Sequence, residues 1–312
     1  MTGRGGRGRA AERGRPRSGP GTGSGSGSRA GKGSGPGSES YERGGWGTYL
    51  LLALFTAVSV FPLLWTAVAA SRTSGRLAQS PPPFWFGRNL GRNLSVAWGE
   101  GGMGEALANT AVVAGSVAVG TVLFSTLAGF AFARLRFRFR GPLLLLVGAT
   151  MLIPPQLGVV PLYLLIARIG WTDQLQAVVL PSLVSAFGVF YMRQHLLGAL
   201  PPELLEAARM DGAGTLRVVW HLVLPAARPA MAVLGMLSFV AAWNDFFWPV
   251  LALTQTGNPT VQVALTGLGR GYVPDTSVVM AGALLGTLPL LVVLALFGRQ
   301  IVGGVMRGAV KG

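Results

Sequence analysis

Few residues in this chain can perform chemistry. Cysteine is absent, which removes disulfides and thiolate metal sites. The two histidines, His195 and His221, stand in no HxxxH or HxxE spacing, so no histidine-based zinc or iron centre is expected. No paired carboxylates, Ser/His constellation or HExxH run appears, and no GxxxxGK(S/T) loop of the kind that cradles nucleotide phosphates. No catalytic, cofactor-binding or metal-binding residue is therefore assigned. Two polar features remain. One is the stretch Glu206-Ala207-Ala208-Arg209-Met210-Asp211-Gly212-Ala213, continuing to Leu222-Val223-Leu224-Pro225; the other is the pair Asn244-Asp245. Both lie among apolar segments, where an ionisable group is costly and points to function. Their chemistry is recognition rather than bond-making.

The elements that position them follow from composition. The 312 residues are 50% hydrophobic and 12% charged, about half the charge content of an ordinary soluble domain. The apolar residues cluster into runs of roughly 20, the length that crosses a bilayer. The expected class is an all-α polytopic membrane protein with six transmembrane helices, at about 46–70, 109–133, 143–168, 175–197, 230–253 and 277–301, forming one transmembrane domain over 46–312. Residues 1–45 hold nine of the 26 basic residues among Gly and Ser. Such a segment cannot bury enough apolar surface to offset its ordering entropy and reads as a disordered, solvated basic tail. It is too long and too polar for the start of a signal peptide. Pro154-Pro155 and Pro161 should kink or interrupt the third span. Asn109 and Thr110 read as helix caps. The Phe84-Trp85-Phe86 group suits headgroup depth, and Arg134 to Arg140, basic and aromatic in alternation, reads as a positive interfacial loop rather than a nucleic-acid strand.

Lys and Arg near the spans set orientation. With the tail discounted, eleven lie on the side of the termini and six on the other, which places both termini and the 198–229 loop in the cytoplasm. In that loop, Pro201-Pro202 suit a first helical turn. Glu203 and Glu206 are expected in that turn, where negative charge complements the helix N-terminus. Leu204, Leu205 and Ala208 share one side, and Ala207 and Ala208 leave room for a close-approaching surface. Gly212 and Gly214 can stop the helix, Thr215 can cap a second one, and Pro225 should end it. The result is two short helices joined by a glycine elbow. A DNA-reading helix-turn-helix has the wrong context, since spans adjoin both ends and Val218, Val219 and Trp220 stand where base-reading groups are needed; a purely structural interfacial hairpin remains the bland alternative. Counted at about 1.5 Å per residue from Ala230, Asn244 and Asp245 lie roughly 22 Å along the fifth span. They suit either an external gate or partner contact, or a helix-end polar bond.

Glu206-Ala207-Ala208, Gly212 six residues after the Glu, and Leu222-Val223-Leu224-Pro225 resemble the EAA loop of ABC importer permeases. Arg193-Gln194, Trp243-Asn244-Asp245-Phe246-Phe247-Trp248-Pro249, Ala281-Gly282-Ala283, Ala133 to Phe137 and the terminal Gly308-Ala309-Val310-Lys311-Gly312 are similar to the carbohydrate branch, the relatives of the second maltose permease subunit. The resemblance covers about 46–312. Leu222 replaces the usual isoleucine, and the Gly/Arg tail is not a family feature. The resemblance implies a cytoplasmic coupling helix, with Glu206, Ala207, Ala208, Asp211, Gly212 and Ala213 docking on an ATP-hydrolysing subunit, and a gate or binding-protein contact at Asn244 and Asp245. It implies these partners: a second homologous permease subunit, two ATP-binding subunits that bind ATP and Mg, an extracytoplasmic sugar-binding protein, the lipid bilayer, and no nucleic acid. The chain itself would need no cofactor, would not be an enzyme, and would sit in a bacterial cytoplasmic membrane. The expected cargo is a sugar, such as an oligosaccharide, with a non-sugar solute as the alternative. In maltose-type relatives one permease can carry most solute contacts, and this chain resembles the other, so no solute-binding residue is named. A stand-alone secondary transporter would need mid-membrane acids, and Asp245 alone is available; an intramembrane enzyme has no constellation to use.

Overall fold

The computed structural model describes residues 45–81, 84–254, 257–270 and 275–309. The basic tail expected over 1–45 lies outside the described residues except for Gly45, as do the loop residues 271–274 and the last three of the terminal Gly308–Gly312 pattern. Contacts divide the chain into two units, Met1–Leu52 and Ala53–Gly312. The described part of the first is Gly45 and the start of α1 (Trp46–Ala70), where the Thr48 N–H donates to the Gly45 carbonyl at 2.8 Å.

Beyond α1, the regular structure among the described residues is helical, with no strand among them. The helices are α2 (Ser74–Leu77), α3 (Leu90–Trp98), α4 (Met103–Arg134), α5 (Arg140–Thr150), α6 (Val159–Arg168), α7 (Gln176–Ser182), α8 (Ala186–Ala199), α9 (Pro202–Met210), α10 (Thr215–Val218), α11 (Leu224–Trp243), α12 (Phe247–Ala252), α13 (Val261–Leu268) and α14 (Thr276–Ala309). Four stretches are single helices long and apolar enough to cross a membrane: α1, α4, Thr215–Trp243 and the Thr276–Leu296 part of α14. The α5–α6 pair is bent by 96° and the α7–α8 pair by 41°.

The 32-residue α4 organises the larger unit. It packs along α8 and α11 and threads three apolar clusters in turn. Met103 and Ala106 join Ala70, Ala97 and Val261. Val113 and Val117 join Ile166, Val178 and Trp248. Phe130 and Ala133 join Met192, Leu196, Leu205 and Val223. Its buried face is mostly small: Ala106, Thr110, Ala114, Ser125 and Gly129. In a bilayer, lipid tails are as apolar as leucine, so close van der Waals packing through small residues holds helices together. Gly129 shows how close: a Cβ there would lie 2.8 Å from both the Arg193 backbone nitrogen and the Met192 Cβ of α8.

Several expected boundaries change. The second span does not begin at Asn109. Gly102, at φ 63°, starts α4 at Met103. Asn109 and Thr110 are therefore inside a helix and cap nothing; the Asn109 amide donates to the Pro259 carbonyl at 3.1 Å, and the Thr110 hydroxyl accepts the Val261 N–H at 2.8 Å. The third span is interrupted as its prolines imply, at 151–154, with a 3-10 turn at Pro155–Gly158 before α6. The fourth, expected over 175–197, is in two pieces. Ser185 turns extended and accepts the Gly188 N–H at 3.1 Å, which starts α8 in mid-span. Pro225 does not end the second elbow helix. The chain stays helical from Thr215 to Trp243, with a π-turn at Val219–Val223 in which the Leu224 N–H reaches back to the Val219 carbonyl. A proline inside a helix loses its hydrogen bond and clashes with the carbonyl four residues back; widening the turn just before it relieves that clash. The fifth span then breaks at 244–246 and resumes as α12.

Candidate coupling surface and intramembrane polar residues

The polar stretch folds as two helices with an elbow. Pro201 takes the cap position of α9 and Pro202 its first turn, where a missing N–H costs nothing. Glu203 lies in the first turn, but Glu206 lies one turn further, so only Glu203 faces the positive end of the helix. The helix closes at Gly212, whose φ of +77° is the left-handed conformation that glycine adopts without strain. There the Gly212 N–H donates to the Arg209 carbonyl at 3.0 Å and the Ala213 N–H to the Ala208 carbonyl at 2.9 Å. This is the paired-bond Schellman stop, and Ala208 and Ala213 pack together on the inner cluster, as its apolar contact requires. Gly214 does not take the left-handed conformation. It is extended, at φ −69° and ψ 163°, and itself occupies the cap of α10, which leaves Thr215 inside that helix.

Two faces result. Leu205, Val218 and Val219 are buried against Phe130 and Ala133 of α4 and Met192, Leu196 and Leu200 at the end of α8. Arg134 fixes this junction, donating to the Leu197 carbonyl at 2.7 Å in the last turn of α8, where cations complement the helix end. Arg140 does the same for α4 at the Ala133 carbonyl, at 3.2 Å. The other face is open: Glu206, Ala207, Arg209, Asp211 and Gly212 are exposed, and so are Met210 at 88%, Leu216 at 77% and Trp220 at 68%. Leu204, expected with the inward side, is exposed too, and Ala208 packs inside the chain rather than offering space outside it. Charges and bare Met, Leu and Trp side chains therefore share this face. Glu206 also borders a cleft of about 670 Å³ whose wall includes Arg134, Arg136, Arg140 and Arg209. That the arginines of the 134–140 loop border Glu206 was not legible in the sequence, because they join the stretch only when that loop folds beside α9.

The structure separates the second pair. Asn244 caps α11 with its amide on the Val240 carbonyl at 2.8 Å and is otherwise exposed. Asp245 is half-buried near the backbone N–H groups of Trp248 and Phe247, and lines a cavity between α4, α7 and α11. Trp243 and Trp248, on either side of the break, are anchored by their indole N–H groups to the Gly286 carbonyl at 3.1 Å and the Ala177 carbonyl at 2.9 Å. The break is therefore held in place from both neighbours. Among the described residues, no group of three or more His, Cys, Asp or Glu side chains could hold a metal ion.

Known proteins resemble this arrangement. The chain is 29% identical over 263 residues to the lactose transport system permease protein LacG of Rhizobium radiobacter, covering 84% of this chain and 95% of LacG. It is 31% identical over 266 residues to the sn-glycerol-3-phosphate transport system permease protein UgpE of Yersinia pestis bv. Antiqua, covering 83% and 94%. The arabinooligosaccharides transport system permease protein AraQ of Halalkalibacterium halodurans is 29% identical over 270 residues, covering 86% and 96%. In fold it matches a chain from the crystal structure of a bacterial ABC transporter involved in the import of the acidic polysaccharide alginate, with a TM-score of 0.71, 21% identity, and coverage of 82% of this chain and 95% of that one. Residues 121–305, more than half of the chain, match the family described as the binding-protein-dependent transport system inner membrane component, and this membrane-embedded, all-helical chain belongs to that family.

Proposed function

We propose that this chain is a membrane-spanning permease subunit of an ABC importer that brings a sugar or sugar-like solute into the cytoplasm, driven by ATP hydrolysed on separate subunits. The cargo reading rests on the names of its relatives, whose systems are described for lactose, sn-glycerol-3-phosphate and arabinooligosaccharides. The need for an outside ATPase rests on the missing phosphate-binding loop. Its partners are a second homologous permease, two ATP-binding subunits and an extracytoplasmic binding protein, in a bacterial cytoplasmic membrane with both termini inside.

The observation that carries this reading is α9. It is a short charged helix between spans, closed by a glycine stop and seated on the ends of α4 and α8, with its charged face bare. A partner that grips Glu206, Ala207, Asp211 and Gly212 would move α4 and α8 with them. The arginine-lined cleft beside Glu206 offers the same partner a place for acidic groups. ATP then acts by favouring one arrangement of the assembly over another. Glu206→Lys reverses the charge of the bare face, and Gly212→Asp puts a side chain at a positive φ and a new charge in the contact. Both variants should insert in the membrane at normal levels and lose most uptake of the solute. Normal uptake by both would remove the coupling role.

A further inference from the structure

A cavity of about 350 Å³ opens where α4, α7, α8 and α11 converge, within the roughly 300–1,000 Å³ usual for small-molecule sites. Its polar wall is Thr121, Ser182, Ser185, Ser238 and Asp245; the rest is valine and alanine. The wall runs from the middle of α4 to the far end of α11. Thr121 lies near the middle of α4, and Ser182 and Ser185 flank the break in the fourth span. Broken helix within a bilayer persists only where protein or a cavity receives the freed backbone groups.

The hydrogen bonds show what the wall has left to offer. The Thr121 hydroxyl donates to the Ser182 carbonyl at 3.2 Å, which satisfies a group freed by the break. The Ser182 hydroxyl donates to the Val178 carbonyl at 3.0 Å. The Ser185 hydroxyl accepts the Gly188 N–H and keeps its own proton to give. Among the described residues no hydrogen bond engages the Ser238 hydroxyl. Among the described residues no side chain donates to Asp245, whose carboxylate keeps lone pairs for a donor. One turn along α4 from Thr121, the Ser125 hydroxyl is fully buried without a partner. Among the described residues no Lys, Arg or His lines the cavity. A phosphate or uronate entering here would meet Asp245 with no cation to offset it, whereas a neutral polyol can donate hydroxyls to Asp245 and exchange bonds with the serines.

We infer that this cavity is a contact site for a neutral saccharide, built from this chain's own helices through Ser185, Ser238 and Asp245, and that it selects against anionic solutes. The inference rests on the permease reading and adds solute-contacting residues to a chain whose resemblance implied none. The cysteine-free sequence supplies the test. In the complete transport complex with its binding protein, reconstituted in proteoliposomes, Ser238→Cys and Ser185→Cys each place one thiol of this chain in the cavity. Uptake and labelling by 2-aminoethyl methanethiosulfonate are measured with lactose, an arabinooligosaccharide and sn-glycerol-3-phosphate. The expected result is uptake of a neutral saccharide, labelling slowed about fivefold or more by that saccharide and not by sn-glycerol-3-phosphate, and an uptake loss of about tenfold in Asp245→Asn, the scale of a lost hydrogen bond to a charged group. The inference is overturned by labelling indifferent to the saccharides, by uptake of sn-glycerol-3-phosphate but of no neutral saccharide in the panel, or by full uptake in Asp245→Asn. Glu206→Lys separates the two readings. If it abolishes uptake while saccharides leave labelling untouched, the cavity site falls and the permease reading stands; if it transports normally, the coupling reading falls by itself.

Discussion

Asp275 opens α14 as a cap whose Oδ1 accepts the backbone N–H groups of Ser277 at 3.1 Å and Val278 at 3.3 Å and the hydroxyls of Ser74 and Ser277, each at 2.5 Å. Burial pushes its carboxyl up, but the four hydrogen bonds outweigh that and hold it below the usual carboxylate range. A carboxyl with a depressed folded pKa stabilises the fold above its unfolded value, about 3.9, and loses that contribution as pH falls through the folded value. Asp275→Ala should therefore lower thermal stability at pH 7 by about 1 kcal/mol, the usual cost of an N-cap. The gap from the parent protein should close in acid below the ordinary carboxylate range. A gap that widens in acid would contradict the assignment. The sequence does not show this tie, since Ser74 lies 201 residues away. The same distance problem hid the partners of Asn109 and Thr110. Gly212 was legible because the constraint is local: a helix that must turn left needs a residue without Cβ, and Pro201-Pro202 mark the other end equally plainly.

At the scale of elements, hydropathy located the apolar runs but not where helices start and stop. The α4 helix begins in the polar segment before the apolar run, and the fourth span breaks at Ser185 with only Pro181 nearby to hint at it. Apolar residues report burial in lipid, whereas breaks depend on which neighbour donates to the freed carbonyl, here Thr121 to that of Ser182. The packing between α4 and α8 was legible only as a richness in small residues. The structure now distinguishes two glycines of α4 that look alike in sequence. At Gly129 a Cβ would collide with the backbone of α8, while at Gly115 nothing lies within 4 Å. Gly129→Ala should cost about 1–3 kcal/mol, the range of overpacking, read as a lower melting temperature in detergent. Gly115→Ala should leave that temperature unchanged or raise it slightly, because alanine is the better helix former. Equal effects at the two positions would mean that the α4–α8 contact does not have this geometry.

For the whole molecule, the question is which side of the membrane the bare face of α9 sees. An all-helical, polytopic fold was legible from composition, because only 12% of the residues are charged and bilayer crossing leaves few architectures. Direction depends on a smaller signal, the eleven-to-six excess of Lys and Arg on the side of α9 and the 134–140 loop. The elements carrying that excess are the ones the fold gathers: Arg134, Arg136, Arg140 and Arg209 share one cleft with Glu206. A positive cleft on the cytoplasmic side would serve both orientation and docking, so the two expectations stand or fall together. Leu216, exposed beside α9, and Glu100, exposed before α4, lie near opposite ends of α4 and can serve as reporters. In intact cells, a membrane-impermeant maleimide should label Glu100→Cys and spare Leu216→Cys until the membrane is permeabilised. The reverse pattern would put α9 outside the cell, where no ATP-hydrolysing subunit could reach it, and would remove the coupling role and the orientation in one measurement.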